Sequence, residues 1–139
     1  MSERADANID KEKVYMYNAL TTEEHSIFYK RHTSDVFVAA AAIGFHDRQS
    51  EKLKPGNRYG LFIVNNMSKN SPGYWILKAI GVSQLGIDSL KNLSEVVNVC
   101  QDYANYGIEV LYKLHKYSSN EEQEIVDKML TILEENEII

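Results

Sequence analysis

Four histidines, one cysteine and a short run of cations are the side chains of this 139-residue sequence best suited to chemistry. His25, His32, His46 and His115 offer imidazole nitrogens for metal binding or proton transfer. No two of them stand at the i and i+4 spacing of helix-borne ligands, and no cysteine pair accompanies them. The neighbours His25 and Glu24, and His32 and Asp35, are as well explained by a polar helix surface. Cys100 falls between Val97 and Ala104 on an apolar stripe, where a thiol acts as a small buried hydrophobe rather than a nucleophile. A lone cysteine also closes no internal disulfide. Glu121, Glu122 and Glu124 stand at the start of a helical pattern, where carboxylates complement the helix dipole, a simpler role than paired-carboxylate catalysis. There is no phosphate loop, no dinucleotide-binding glycine fingerprint and no nucleophile elbow. The sequence therefore reads as a protein that is not an enzyme, with no catalytic set, no cofactor and no metal.

The cations are the remaining candidates. Arg48, Lys52, Lys54 and Arg58 lie between Phe45 and Arg58 against Asp47 and Glu51, with Tyr59 next to them for base stacking. From Ser119 onward the seven acids Glu121, Glu122, Glu124, Asp127, Glu134, Glu135 and Glu137 face Lys128 alone, a local charge of −6. Out of a net −5, the rest of the chain is thus +1. Four cations on an acidic protein are few for independent binding, so these four are candidate nucleic-acid contacts within a larger assembly. No helix carries the dense Lys and Arg face of a recognition helix, which counts against the alternative of a DNA-binding transcriptional regulator.

The elements that must position these groups follow from apolar periodicity. Val36 to Phe45 is apolar on every face and contains four consecutive alanines, so its helix must be wrapped by the rest of the chain. Leu93 to Tyr117 forms a long amphipathic helix whose stripe holds Val96, Val97, Cys100, Tyr103, Ala104, Gly107, Ile108, Leu111 and Leu114. Gly107 in its middle costs about 1 kcal/mol relative to alanine, which implies that another backbone packs closely there. Asp10 to Leu20 reads as a helix. Thr21-Thr22-Glu23-Glu24 has the form of a capping box, predicting a short helix through Phe28 to Arg31. Thr33, Ser34 and Asp35 are N-caps for the alanine-rich helix, with Gly44 near its end. Lys54-Pro55-Gly56-Asn57 is a turn, and Tyr59 to Met67 fits strand or helix equally. Ser71-Pro72 opens a helix that stops near Gly86, and Ser119-Asn120-Glu121-Glu122 caps a terminal one.

Together these readings give a mainly α protein, one compact helical domain of about five to six helices, with a short strand or extended segment near 59–67. Residues 1–8 are expected to be flexible and residues 9–139 to form the single domain. The apolar run is about half of the roughly 20 residues a membrane span needs, and no secretory leader is recognisable, so a cytoplasmic protein without membrane contact is expected.

Two stretches carry a family resemblance. Asp35-Val36-Phe37-Val38-Ala39-Ala40-Ala41-Ala42-Ile43-Gly44-Phe45, followed by the basic tract, and Asp102-Tyr103-Ala104-Asn105-Tyr106-Gly107-Ile108-Glu109-Val110-Leu111 together resemble the small Dnd system-associated proteins. These are encoded beside DNA phosphorothioation genes in bacteria and archaea. The resemblance runs from Thr21 to Lys116 and departs from the family between Tyr59 and Asn70. It implies a non-catalytic small subunit or adaptor of a DNA-modification-linked antiviral defence complex, beside a larger ATPase or nuclease. A small hydrolase or nuclease is the least favoured reading. Asn105 and Glu109, one helical turn apart and off the apolar stripe, are expected to be exposed and are candidate partner-binding residues. The terminal helix, with Ile125, Met129, Ile132 and Leu133, leaves a homodimer open.

Overall fold

The alanine-rich run forms α2 (Thr33–Asp47), which lies along α4 (Leu93–Tyr117) in the most extensive helix contact of the fold. Val36, Phe37, Val38, Ala40, Ala41, Ile43 and Gly44 are all buried, as a helix apolar all round requires. The close approach implied by Gly107 is present and is reciprocal. A Cβ built on Gly107 would stand 2.6 Å from the carbonyl carbon of Ala40, and one built on Gly44 would stand 2.9 Å from the Cα of Tyr103. Ala40 and Gly44 on one helix thus meet Tyr103 and Gly107 on the other, each pair four residues apart, with backbone against backbone.

The computed structural model describes residues 4–117 and 121–135. Around the central pair stand α1 (Val14–Thr22), α3 (Pro72–Leu85) and α5 (Glu121–Glu135), making five α-helices among the described residues. They share one apolar cluster that runs from Ala5 to Ile132. This is the mainly α architecture expected, with a small sheet added. No helix among the described residues is long and apolar enough to cross a membrane.

The sheet corrects one expectation. Asp6, Ala7 and Asn8, expected to be flexible, belong to β1 (Asp6–Asp10), which pairs antiparallel with β2 (Arg58–Ile63). The ambiguous 59–67 segment is therefore a strand followed by a 3-10 turn over Val64–Asn66. Its partner was hidden because two of the three inward residues are alanines with weak strand preference: Ala5, Ala7 and Ile9 are buried, alternating with Asp6 and Asn8. The register slips between Ala7 and Asn8, and there the Asn8 amide donates to Gln101 Oε1 of α4 at 2.7 Å instead of to the sheet.

Helix ends divide into those set locally and those that are not. Ser71 caps α3 by accepting from the Tyr74 amide, Pro72 follows it, and Gly86 ends the helix at φ 95°. The capping box at Thr21, by contrast, is a helix end. Thr21 Oγ1 donates to the Tyr17 carbonyl and Thr22 Oγ1 to the Asn18 carbonyl, so both hydroxyls close the last turn of α1. The segment through Phe28 to Arg31 is then a series of turns, not a helix. His32 stands at the N-cap of α2, its amide donating to Asp35 Oδ2, and α2 continues past Gly44 to Asp47 before Arg48 takes a left-handed conformation at φ 57°. The cap expected at Ser119 lies outside the described residues.

Candidate functional site

The four cations of the basic segment sit on an irregular loop that is nonetheless fastened along its length. Leu53 is buried. The Glu51 amide donates to the Asp102 carbonyl at 2.9 Å, and the Lys54 amide donates to Asp10 Oδ1 at 2.8 Å. Asn105 Nδ2 donates to Asp10 Oδ2 and to the Glu51 carbonyl, both at 3.1 Å. Lys13, with only 5% of its side chain exposed, donates to Glu51 and to the Asn105 carbonyl and lies 3.7 Å from Glu109 Oε1. The backbone of the loop is thus bound to β1, to the turn after it and to α4.

Its charged tips diverge. Lys54 pairs with Glu12, whose hydrogen bond holds the ammonium above its ordinary range. Lys52 and Arg58 act together on Asp102, where burial raises the carboxyl and the two cations oppose that rise. Arg48 ends α2 and lines a cleft of about 580 Å³ with Phe45, Ser83, Gln84, Tyr103 and Glu135. Among the described residues, Arg48, Lys52 and Arg58 are exposed cations held in no ion pair, and Lys54 is not available in that way.

The expectation that Asn105 is exposed is overturned. Asn105 is 2% exposed, and its Nδ2 donates inside the loop anchor rather than to the surface. On a helical period it lies only about 60° from Ile108, at the flank of the apolar stripe rather than opposite it. Glu109 is half exposed and faces Lys13. Gln101 and His115 join Asn105 as buried polar residues of α4. The anchoring roles of Asp10, Lys13 and Gln101 had no motif to announce them, although Gln101 and Asn105 stand at the i, i+4 spacing of a common face.

Two further polar clusters form between elements. At the end of α2, His46 Nδ1 lies 2.9 Å from Asp47 Oδ1, while its Nε2 meets Glu135 of α5. Asp47 also accepts from Tyr106 and Lys128, both at 3.1 Å. The hydrogen bonds that the imidazole donates to Glu135 and then to Asp47 raise His46 above the usual imidazole range against the opposing effect of burial. Burial pushes Asp47 up, yet His46 and Lys128 outweigh it and the carboxyl ends below its ordinary value. At the end of α4, His115 Nε2 lies 2.6 Å from Glu23 Oε1, and Lys116 Nζ lies 3.1 Å from Glu23 Oε2. Those two donors hold Glu23 low. Cys100 is buried as expected, donates to the Leu77 carbonyl at 3.4 Å, and has its thiol pushed up to about 12 by burial.

Residues 7–137 match the family model described as DNA sulphur modification system-associated protein 4. This chain belongs to that family. The match extends the Dnd resemblance at both ends, taking in most of β1 and all of α5. Neither the curated proteins nor the solved structures contain a match. Membership in the family makes the protein one associated with a DNA sulphur modification system.

Proposed function

We propose that this member of the family is a non-catalytic accessory subunit of a DNA sulphur modification-linked defence complex, acting by contact with a larger ATPase or nuclease of the same system. The observation that carries this reading is the family match over residues 7–137. The site geometry supports it. The cations that remain unpaired, Arg48, Lys52 and Arg58, project from an anchored loop and suit an auxiliary phosphate contact inside an assembly, while three charges are too few to hold DNA alone. Trp75, 53% exposed, and Ile87, 69% exposed, supply apolar surface of the kind protein interfaces use.

Affinity purification of the tagged chain from its native host tests the reading. Co-purification of an ATPase or nuclease of the DNA sulphur modification system is the expected result, and recovery of the chain by itself overturns it. Charge reversal at Arg48 and Lys52 is expected to lower the DNA affinity of the assembled complex and to flatten its dependence on salt. An unchanged salt slope removes the DNA contact from the proposal. Tight binding of duplex DNA by the isolated chain at physiological salt would favour a transcriptional regulator instead.

A further inference from the structure

We propose that Glu23, His25 and His115 form a binding site for a divalent transition metal ion of the zinc class, joining the turn after α1 to the last turn of α4. Each residue offers one ligand atom, and the three atoms lie within 4.8 Å of one another. Glu23 Oε1 is 2.6 Å from His115 Nε2 and 3.9 Å from His25 Nε2. Zinc bound tetrahedrally by nitrogen and oxygen at about 2.0–2.1 Å keeps neighbouring ligand atoms roughly 3.4 Å apart, so the present spacings bracket the one required. Two imidazoles and one carboxylate favour zinc and its neighbours over magnesium or calcium, which prefer oxygen alone.

The three ligands differ in how firmly they are held, and that difference makes the site accessible. His115 has a side chain 0% exposed, fixed on a long helix, and Glu23 is already turned toward it. His25 is 65% exposed on an irregular segment. Its ring stacks on His115 with centroids 4.4 Å apart and planes 13° from parallel. In-plane lone pairs of stacked rings run side by side, so His25 must rotate for both nitrogens to face one ion. An exposed side chain turns at little cost. The Lys116 ammonium on Glu23 must also swing away, and the two side chains, 35% and 33% exposed, hold it in a partly solvated pair that water can replace at modest cost, since surface pairs are worth only about 0–1 kcal/mol. Three protein ligands leave a fourth position for water, the open arrangement of exchangeable zinc sites. Loading would fasten Glu23 and His25, at the head of the turns between α1 and α2, onto α4.

Calorimetric titration of the purified full chain with zinc chloride, beside magnesium chloride as the hard-cation control, tests the site. One zinc ion per chain, no magnesium heat and a four-coordinate cobalt absorption spectrum are expected. His25→Ala and Glu23→Gln are each expected to weaken zinc binding by about tenfold or more, with circular dichroism used to establish that each variant keeps its fold; His25 is 65% exposed. Zinc should raise the melting temperature of the parent chain by more than that of His25→Ala at the same zinc concentration. Absence of zinc binding, or equal affinity in the folded His25→Ala variant, overturns the proposal.

Discussion

Gly107 of α4 faces Ala40 of α2 with no room for a side chain between them: a Cβ on Gly107 would come to 3.0 Å from the Ala40 Cα and closer still to its carbonyl carbon. Helix propensity and packing therefore oppose each other at this position. Alanine at Gly107 would gain about 1 kcal/mol of intrinsic helix preference. The collision is with backbone, which cannot rotate away, and overpacking of this kind costs about 1–3 kcal/mol or more. Gly107→Ala is expected to lower the urea midpoint of unfolding. A midpoint that rises would show that the two helices separate freely.

Asn105 is the second position where burial decides. Its amide joins buried Asp10 to the Glu51 carbonyl, and replacement by leucine leaves Asp10 with only the Lys54 amide among these two partners. Orphaning a buried acceptor costs about 1–3 kcal/mol. Asn105→Leu is expected to lower stability by about 2 kcal/mol in chemical denaturation. It should also speed hydrogen exchange at the Lys54 amide, because its acceptor Asp10 loses the Asn105 amide that holds the carboxylate in place. Exchange unchanged at that amide would place the anchor elsewhere.

The His46 contacts at the end of α2 predict a pH dependence whose sign follows from the raised imidazole. A group whose pKa is higher in the folded state than unfolded contributes fully below its unfolded value, about 6.5 for histidine, and loses that contribution as pH rises through the folded value. The groups facing His46 are Asp47 on its own helix and Glu135 on α5, with Lys128 and Tyr106 bound to Asp47. The stability advantage of the parent chain over His46→Gln is expected to shrink as pH is raised above about 6.5. Glu135→Gln removes the principal cause of the shift and should flatten that dependence. Unfolding curves recorded across the range provide the check, and an advantage that grows with pH would contradict it.

Cys100 should behave as packing, not as a reactive group. A buried thiol raised to about 12 holds almost no thiolate at neutral pH. Labelling by a disulfide reagent is expected to be negligible in the folded chain and complete in denaturant. Cys100→Ser swaps a buried thiol for a hydroxyl whose shorter C–O bond reaches less far toward the Leu77 carbonyl, and a loss of about 1 kcal/mol or more is expected in thermal unfolding.

The helices with strong local signals were legible in the sequence. The stripe from Leu93 to Tyr117 and the Ser71-Pro72 start with its Gly86 stop each depend on neighbours within a few residues, and the structure places them as read. The uniformly apolar Val36–Phe45 run is likewise buried on nearly every side. Even the close crossing at Gly107 was announced, since a glycine inside a strong helix needs a reason. The Thr21 box was misread because a threonine hydroxyl bonds as well to a carbonyl behind it as to an amide ahead.

The candidate site was legible only in its charges. The presence of Arg48, Lys52, Lys54 and Arg58 on one loop is a fact of sequence, whereas Lys54 meeting Glu12 joins residues 42 positions apart. Asn105 was placed on the wrong face because a polar residue at the flank of a stripe is buried only when something polar arrives to meet it. That partner, Asp10, lies 95 residues away. The pairing of β1 with β2 and the convergence of Glu23, His25 and His115 have the same origin. Local periodicity determined which segments are helices, because helix hydrogen bonds close within four residues. The tertiary structure alone decided which polar groups are buried together, because most buried polar groups are satisfied by partners that the fold brings from far along the chain.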